Sequence, residues 1–342
     1  MLFLLIYNLL LREAIGVVLF LIHYRDEILF FNIATSPWFT IFGQLIGLLL
    51  PLLIWLALKR DKLSNHFPRM KLDSTNIILI IFMSIFLQPA MMFVSGFTSL
   101  FFNNTVSEFL GEMTQHPLWL LLLAVAVTPS IVEEILFRGY IQSAYSSDKS
   151  RPFRSIALIN GLFFAIIHFN LQQFSYAFIM GIIFAYMVYY TRNVWSGILA
   201  HFIMNGTQVT MFYLLTRLTN YLPPPETTIA TEQPLYPIYI PAEVMVVIVM
   251  GFIALIATPC AYVLYLNFRT HNRQRNIEHD MKQALQSKTD FNNNTETTMQ
   301  PIVILDKFTQ ESETTETSKP LIINPFTIAV VVLFIGVMIL SF

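Results

Sequence analysis

Apolar residues in this chain run on in blocks instead of alternating or tracing a single stripe. Blocks long enough to cross a hydrocarbon core of about 30 Å as helices fall at 2–22, 37–58, 75–97, 117–142, 154–171, 174–191, 194–216, 243–266 and 322–342. The pattern predicts an all-α fold, a polytopic transmembrane helical bundle of about eight or nine spans. The first block is the weakest, because Arg12 and Glu13 sit in its middle. It lacks a basic leading region and a small-residue cleavage site, so it reads as a retained span and not a signal peptide.

Two stretches break the pattern. Residues 221–241 are proline-rich and extended in character. Residues 268–320 are rich in Thr, Asn, Gln and Glu with little periodicity, which predicts a polar, disordered tail with at most a helical turn or two after the membrane. The expected organisation is therefore a transmembrane bundle over 1–267, the tail over 268–320, and a C-terminal hydrophobic segment over 321–342 as an additional span.

Composition agrees with this reading. The chain is 55% apolar and 12% charged, where soluble domains carry roughly 25% charged residues. A net charge of −1 points to no nucleic-acid partner. One cysteine, Cys260, rules out a disulfide framework or a cysteine-based metal site. Lysine and arginine concentrate in 59–73, in 143–154, at Arg192 and from Arg269 onward, whereas 98–116 and 218–242 contain neither. By the positive-inside rule this places the N-terminus, the basic loops and the tail in the cytoplasm of an integral multi-pass protein, with the bacterial cell membrane as the expected location.

Ionisable groups at membrane depth cost several kcal/mol each and mark function. They are concentrated in the middle of this chain. Glu133 and Glu134 precede Arg138 in SIVEEILFRGYIQ; Phe164 precedes His168 by four residues; His201 precedes Asn205 by four. The other histidines (His23, His66, His116, His271, His279) fall in loops, span edges or the tail. Consecutive glutamates cannot share a helix face, whereas Glu134 and Arg138 stack at i, i+4 in the favourable order. That pair is expected to be structural, leaving Glu133 as a desolvated carboxylate suited to general-base work. Phe164 would wall off the His168 imidazole, and His201 with Asn205 would offer donors to an oxyanion. Two mechanisms use this inventory. Glu133 and His168 can activate water directly, or Glu133, His168 and His201 can hold a zinc ion with one position open for water. In either case the 154–171 span must tilt or begin inside the bundle for the three side chains to meet.

These patterns resemble the CAAX prenyl protease 2 and bacteriocin-processing family of intramembrane proteases, whose members carry E-E-x-x-x-R, then F-x-x-x-H, then H-x-x-x-N or D. Here those are Glu133, Glu134 and Arg138; Phe164 and His168; His201 and Asn205, all within about residues 117–216. The resemblance implies an endopeptidase acting on a C-terminal, CAAX-like or peptide-precursor substrate at the membrane. It implies that the first Glu and the middle His activate water and that the final His and Asn stabilise the oxyanion. Its partners would be the lipid bilayer and a membrane-associated peptide or protein. Two other readings compete: a non-catalytic bacteriocin-immunity protein, and a proton-coupled transporter using Glu133, Glu134 and His168 as a relay. The transporter predicts inverted repeats and broken helices, which the sequence does not contain.

Overall fold

The computed structural model describes residues 2–294 except 27, 28, 30, 31, 34, 68, 69, 149 and 222–240. Among the described residues the chain is a bundle of helices with no strand. They are α1 (Leu2–Arg25), α2 (Pro37–Lys59), α3 (Ser74–Ser99), α4 (Thr105–Met113), α5 (Leu118–Ser146), α6 (Phe153–Ile166), α7 (Leu171–Thr191), α8 (Val194–Tyr221) and α9 (Ala242–Asn294). Six of them (α2, α3, α5, α7, α8 and α9) are long and apolar enough to cross a membrane. The apolar part of α1 and the whole of α6 are shorter. The hydrophobic blocks of the sequence therefore become helices, and α4, a capped amphipathic turn of chain in the 98–116 connection, joins them. The predicted C-terminal span at 322–342 lies outside the described residues.

Burial decides which helix is central. In α5, 61% of the span is buried, against 17–44% in the other five. Its apolar side chains Val132, Leu136 and Phe137 join Leu52 of α2 and Phe163 and Phe164 of α6 in one core. The remaining spans leave large aliphatic and aromatic side chains exposed, as lipid-facing surfaces do. Two wide π-helical turns, Leu122–Val127 and Ile135–Ile141, flank the two glutamates in α5. Such turns are rare and collect at functional sites.

Two differences from the sequence reading have physical causes. The 154–171 block is not one helix: α6 ends at Ile166 after 14 residues, about 21 Å, and the chain turns back there. Phe169 takes the left-handed conformation at φ 47° to make that turn, and the Asn170 side chain caps α7 by accepting from the Gln173 N–H. His168 thus sits in the turn, beyond the helix. The close α6–α7 crossing needs glycine, since a Cβ on Gly181 would lie 2.7 Å from the Gly161 Cα.

The second difference is the tail. Residues 268–294, expected to be disordered, continue α9 without a break. Their polar side chains have tertiary partners. Asn272 and Asn76 exchange amide hydrogen bonds at 2.6 and 3.0 Å, and both are fully buried. Asp73 caps α3 through the Asn76 N–H and pairs with Arg275 at 2.9 Å and His271 at 3.0 Å. Arg192 grips Asp280 with two hydrogen bonds, and Asn276 donates to the Tyr190 carbonyl. The segment is ordered by contacts with residues 86 to 198 and more positions away in sequence, which composition does not register. The remainder of the predicted tail, 295–320, lies outside the described residues.

Candidate active site

A proline in α5 begins the site. Pro129 has no N–H, so the Val125 carbonyl one turn earlier loses its helical partner. The Asn205 side chain of α8 supplies the missing donor at 3.0 Å. Because a carbonyl only accepts, the atom facing it is the amide nitrogen. The same nitrogen lies 3.1 Å from His201 Nε2, so Nε2 is the accepting side of the ring. Nδ1 then carries the proton and donates to Glu134 Oε1 at 3.1 Å. Burial of His201 to 2% exposure and stacking on Phe184 at 5.2 Å hold the ring in that plane.

Glu134 and Arg138 form the expected pair at 2.7 Å, and both side chains are fully buried. Glu134 has a second task, since its Oε1 receives both the guanidinium and the His201 ring. Arg138 also donates to the Gly181 carbonyl at 3.0 Å. Its guanidinium lies 4.5 Å over the Phe164 ring and 5.3 Å from that of Phe184, a cation–π enclosure. Phe164 is the hinge of the arrangement. Its edge meets His168 at 5.3 Å and His201 at 5.7 Å, so the aromatic of the F-x-x-x-H pattern touches both imidazoles and the arginine.

His168 keeps the i, i+4 relation although it lies past the helix end. Its Nδ1 is 2.7 Å from the Phe164 carbonyl. Nδ1 must donate, and in the neutral ring Nε2 is left with a free lone pair.

Glu133 points away from Glu134, as helix geometry requires, and is 4% exposed. Its Oε1 accepts from Gln44 Nε2 of α2 at 3.0 Å. Its Oε2 is buried with no hydrogen-bond partner. A buried carboxylate oxygen left unpaired is costly and calls for an explanation. Glu133, Phe164, His168, His201 and Asn205 all line one cavity of about 350 Å³. The structure therefore brings together every proposed catalytic side chain. The helices that carry them are α5, the α6–α7 turn and α8.

Several features were absent from the sequence reading. Gln44 is one, a polar residue in an apolar span whose role appears only when α2 packs on α5. Tyr176 and Gln173 of α7 also line the cavity, as does α4 through Val106, Phe109 and Leu110. The one local signal for the Asn205 anchor was Pro129 inside a span. The proposed oxyanion donors are engaged with each other, so an oxyanion has to share the Asn205 amide with Val125 and His201.

The zinc arrangement meets an obstacle in the same hydrogen bonds. His201 uses Nδ1 toward Glu134 and Nε2 toward Asn205, so no lone pair of that ring is free for a cation. Among the described residues no three His, Cys, Asp or Glu side chains are grouped as a metal site.

The comparisons with known proteins bear on this segment. Residues 115–207, from the start of α5 to the middle of α8, match the family model described as Type II CAAX prenyl endopeptidase Rce1-like. The family resemblance carried by the three motifs is thus shown for the segment that contains them. The chain is also 32% identical over 103 residues to "Putative membrane peptidase YdiL" of Bacillus subtilis (strain 168). That match covers 30% of this chain and 41% of the relative's length, so the chain spans well under half of it. No solved structure matches. The chain is an integral membrane protein by its helices, and its middle segment is related to membrane peptidases.

Proposed function

We propose that the protein is an intramembrane endopeptidase in which Glu133 and His168 activate water against a peptide bond held in the cavity. The observation that carries the reading is Glu133 Oε2. It is buried and lacks a partner, and Glu133 lines a cavity shared with His168. A water seated between these two acceptors would be oriented by both. Glu133 takes its proton as oxygen attacks the carbonyl carbon. The tetrahedral oxyanion forms toward Asn205, whose amide then shifts part of its donation from Val125 to the substrate. On collapse the C–N bond breaks, and Glu133 returns the proton to the departing amine. Gln44 holds Oε1 and so fixes the rotation of the carboxylate. The reading takes the substrate to be a membrane-associated peptide or protein, cleaved near a C-terminus or within a precursor.

Glu133→Gln keeps the shape and cannot accept the proton. In detergent-purified protein it should abolish hydrolysis of a fluorogenic peptide while leaving the melting temperature unchanged. Near-normal hydrolysis in that variant removes the water-activation role of Glu133, whereas no hydrolysis by the unsubstituted protein favours a binding function, such as immunity, or proton-coupled transport. A zinc assay separates the two chemistries. Zinc at about one equivalent, with activity lost to chelator and restored by zinc, would require the His201 ring to exchange its Asn205 contact for the cation.

A further inference from the structure

The cavity's lining residues fall toward one end of the bundle. One end is basic. Arg60, Lys62, Lys71 and Arg151 lie in the connections there, with Lys59 at the end of α2 and Arg154 in the first turn of α6. Hydrogen bonds gather these connections together: the Met70 N–H donates to the Arg192 carbonyl, Asn193 donates to the Met70 carbonyl, Arg275 donates to the Lys71 carbonyl, and His66 meets Ser143. The other end is nearly free of basic side chains. There the end of α3 meets the start of α7 through Thr98, which donates to the Gln172 carbonyl, and Arg217 donates to the Thr114 carbonyl. Among the described residues Arg217 and Arg25 are the basic groups at that end.

The cavity belongs to the second end. Its lining takes Thr40 and Gln44 from the first two turns of α2, Gln173 and Tyr176 from the first two turns of α7, and Val106 and Phe109 from α4. All of these sit on the side of the connections that lack lysine and arginine. On the basic side the cavity is closed. Glu134, Arg138 and Phe137 are buried to 0–1% exposure, and Phe164 and Phe184 to 2%. Beyond them the chain from Glu133 to Ser146 adds 13 residues of α5, about 20 Å of helix. Gln142, farther along α5, is also buried and donates to the Ala185 carbonyl.

Lysine and arginine in short connections mark the cytoplasmic side. We infer that the cavity is entered from the extracytoplasmic side of the membrane, and that its substrates are peptide segments presented there, exported peptides or the outer juxtamembrane segments of membrane proteins. C-termini displayed in the cytoplasm cannot reach it. The substrate class rests on the endopeptidase reading; the side of entry does not.

The test uses single cysteines in a Cys260→Ser background, Cys260 being the one native thiol and exposed. A cysteine at Gly111 of α4 meets open space, since a Cβ there has no neighbour within 4 Å, and Val106→Cys and Gln173→Cys report on the cavity itself. All three should react with a membrane-impermeant maleimide in intact cells, whereas Ser64→Cys reacts only after permeabilisation. The inference is overturned if Gly111→Cys and the cavity cysteines are protected in intact cells and Ser64→Cys is not. A second arm supplies a soluble fluorogenic peptide to sealed vesicles. Right-side-out vesicles should cleave it and inverted ones should not; cleavage by inverted vesicles alone overturns the inference. If neither cleaves it while the labelling is as stated, the side of entry stands and the endopeptidase reading fails.

Discussion

The Glu134–Arg138 pair offers a prediction in which folding and activity part company. Arg138→Leu leaves a carboxylate with no exposure and removes three things: the 2.7 Å ion pair, the bond to the Gly181 carbonyl and the cation–π contacts with Phe164 and Phe184. Breaking one side of a buried pair costs about 3–5 kcal/mol, or about two to four powers of ten in the folded fraction. Glu134→Leu strands the guanidinium and should cost a similar amount. The double change removes both charges together and replaces them with apolar volume, so the two losses should not add. The assay is a double-mutant cycle in detergent, read by thermal unfolding, with peptide hydrolysis measured on the same samples. Stability of the double variant should lie above that of either single variant. Hydrolysis should stay absent in Glu134→Leu and in the double variant, because His201 Nδ1 loses its acceptor whenever Glu134 is replaced. If the double variant is as unstable as the sum of the singles, the pair is not what makes the charges tolerable at that depth. If it recovers activity, Glu134 has no part in holding His201.

Further outcomes follow from neighbouring contacts. Asn205→Ala should slow hydrolysis by about 2.7–4 kcal/mol of barrier, the cost of one lost oxyanion donor, and the kcat of the purified variant measures it. A Cβ on Gly197 would lie 2.5 Å from Glu134 Oε2, so Gly197→Ala should destabilise by about 1–3 kcal/mol through overpacking, read as a lower melting temperature. At the basic end, burial opposes ionisation of Asp73, but the Asn76 N–H, His271 and Arg275 outweigh it and hold the carboxyl below its usual range. A depressed folded pKa contributes stability above the unfolded value of about 3.9 and loses it as pH falls through the folded one. Hydrogen exchange in residues 268–286 should therefore rise below about pH 4, and Asp73→Asn should show the same rise at neutral pH. Equal protection at both pH values would remove Asp73 from the docking of α9.

Sequence patterns located the polar lining of the cavity because membrane depth makes polar residues conspicuous. Glu133, His168, His201 and Asn205 were legible for that reason, and helical spacing alone separated Glu133 from Glu134. Gln44 was not legible: a single amide in an apolar span has no local pattern, and its meaning is a contact with a carboxylate 89 positions away. The end of α6 was hidden too, since Ile167, His168 and Phe169 continue an apolar block while the backbone has already turned. The helical extension of α9 was misjudged because its order comes from Asn76, Asp73 and Arg192 on other elements. The engagement of His201 with both Glu134 and Asn205 also required the third dimension, since each partner is read from a different helix.

The shortness of α6 bears on the supply of the second reactant. Its helical length of about 21 Å falls roughly 9 Å short of a typical hydrocarbon core, and the backbone turns back with His168 at the missing end. A bilayer meeting so short a wall thins or draws polar matter inward. We expect the outer leaflet beside the α6–α7 turn to thin there, which would carry hydration toward the imidazole. The proposed endopeptidase needs water as much as it needs peptide, and a helix locally too short for the membrane would supply that access.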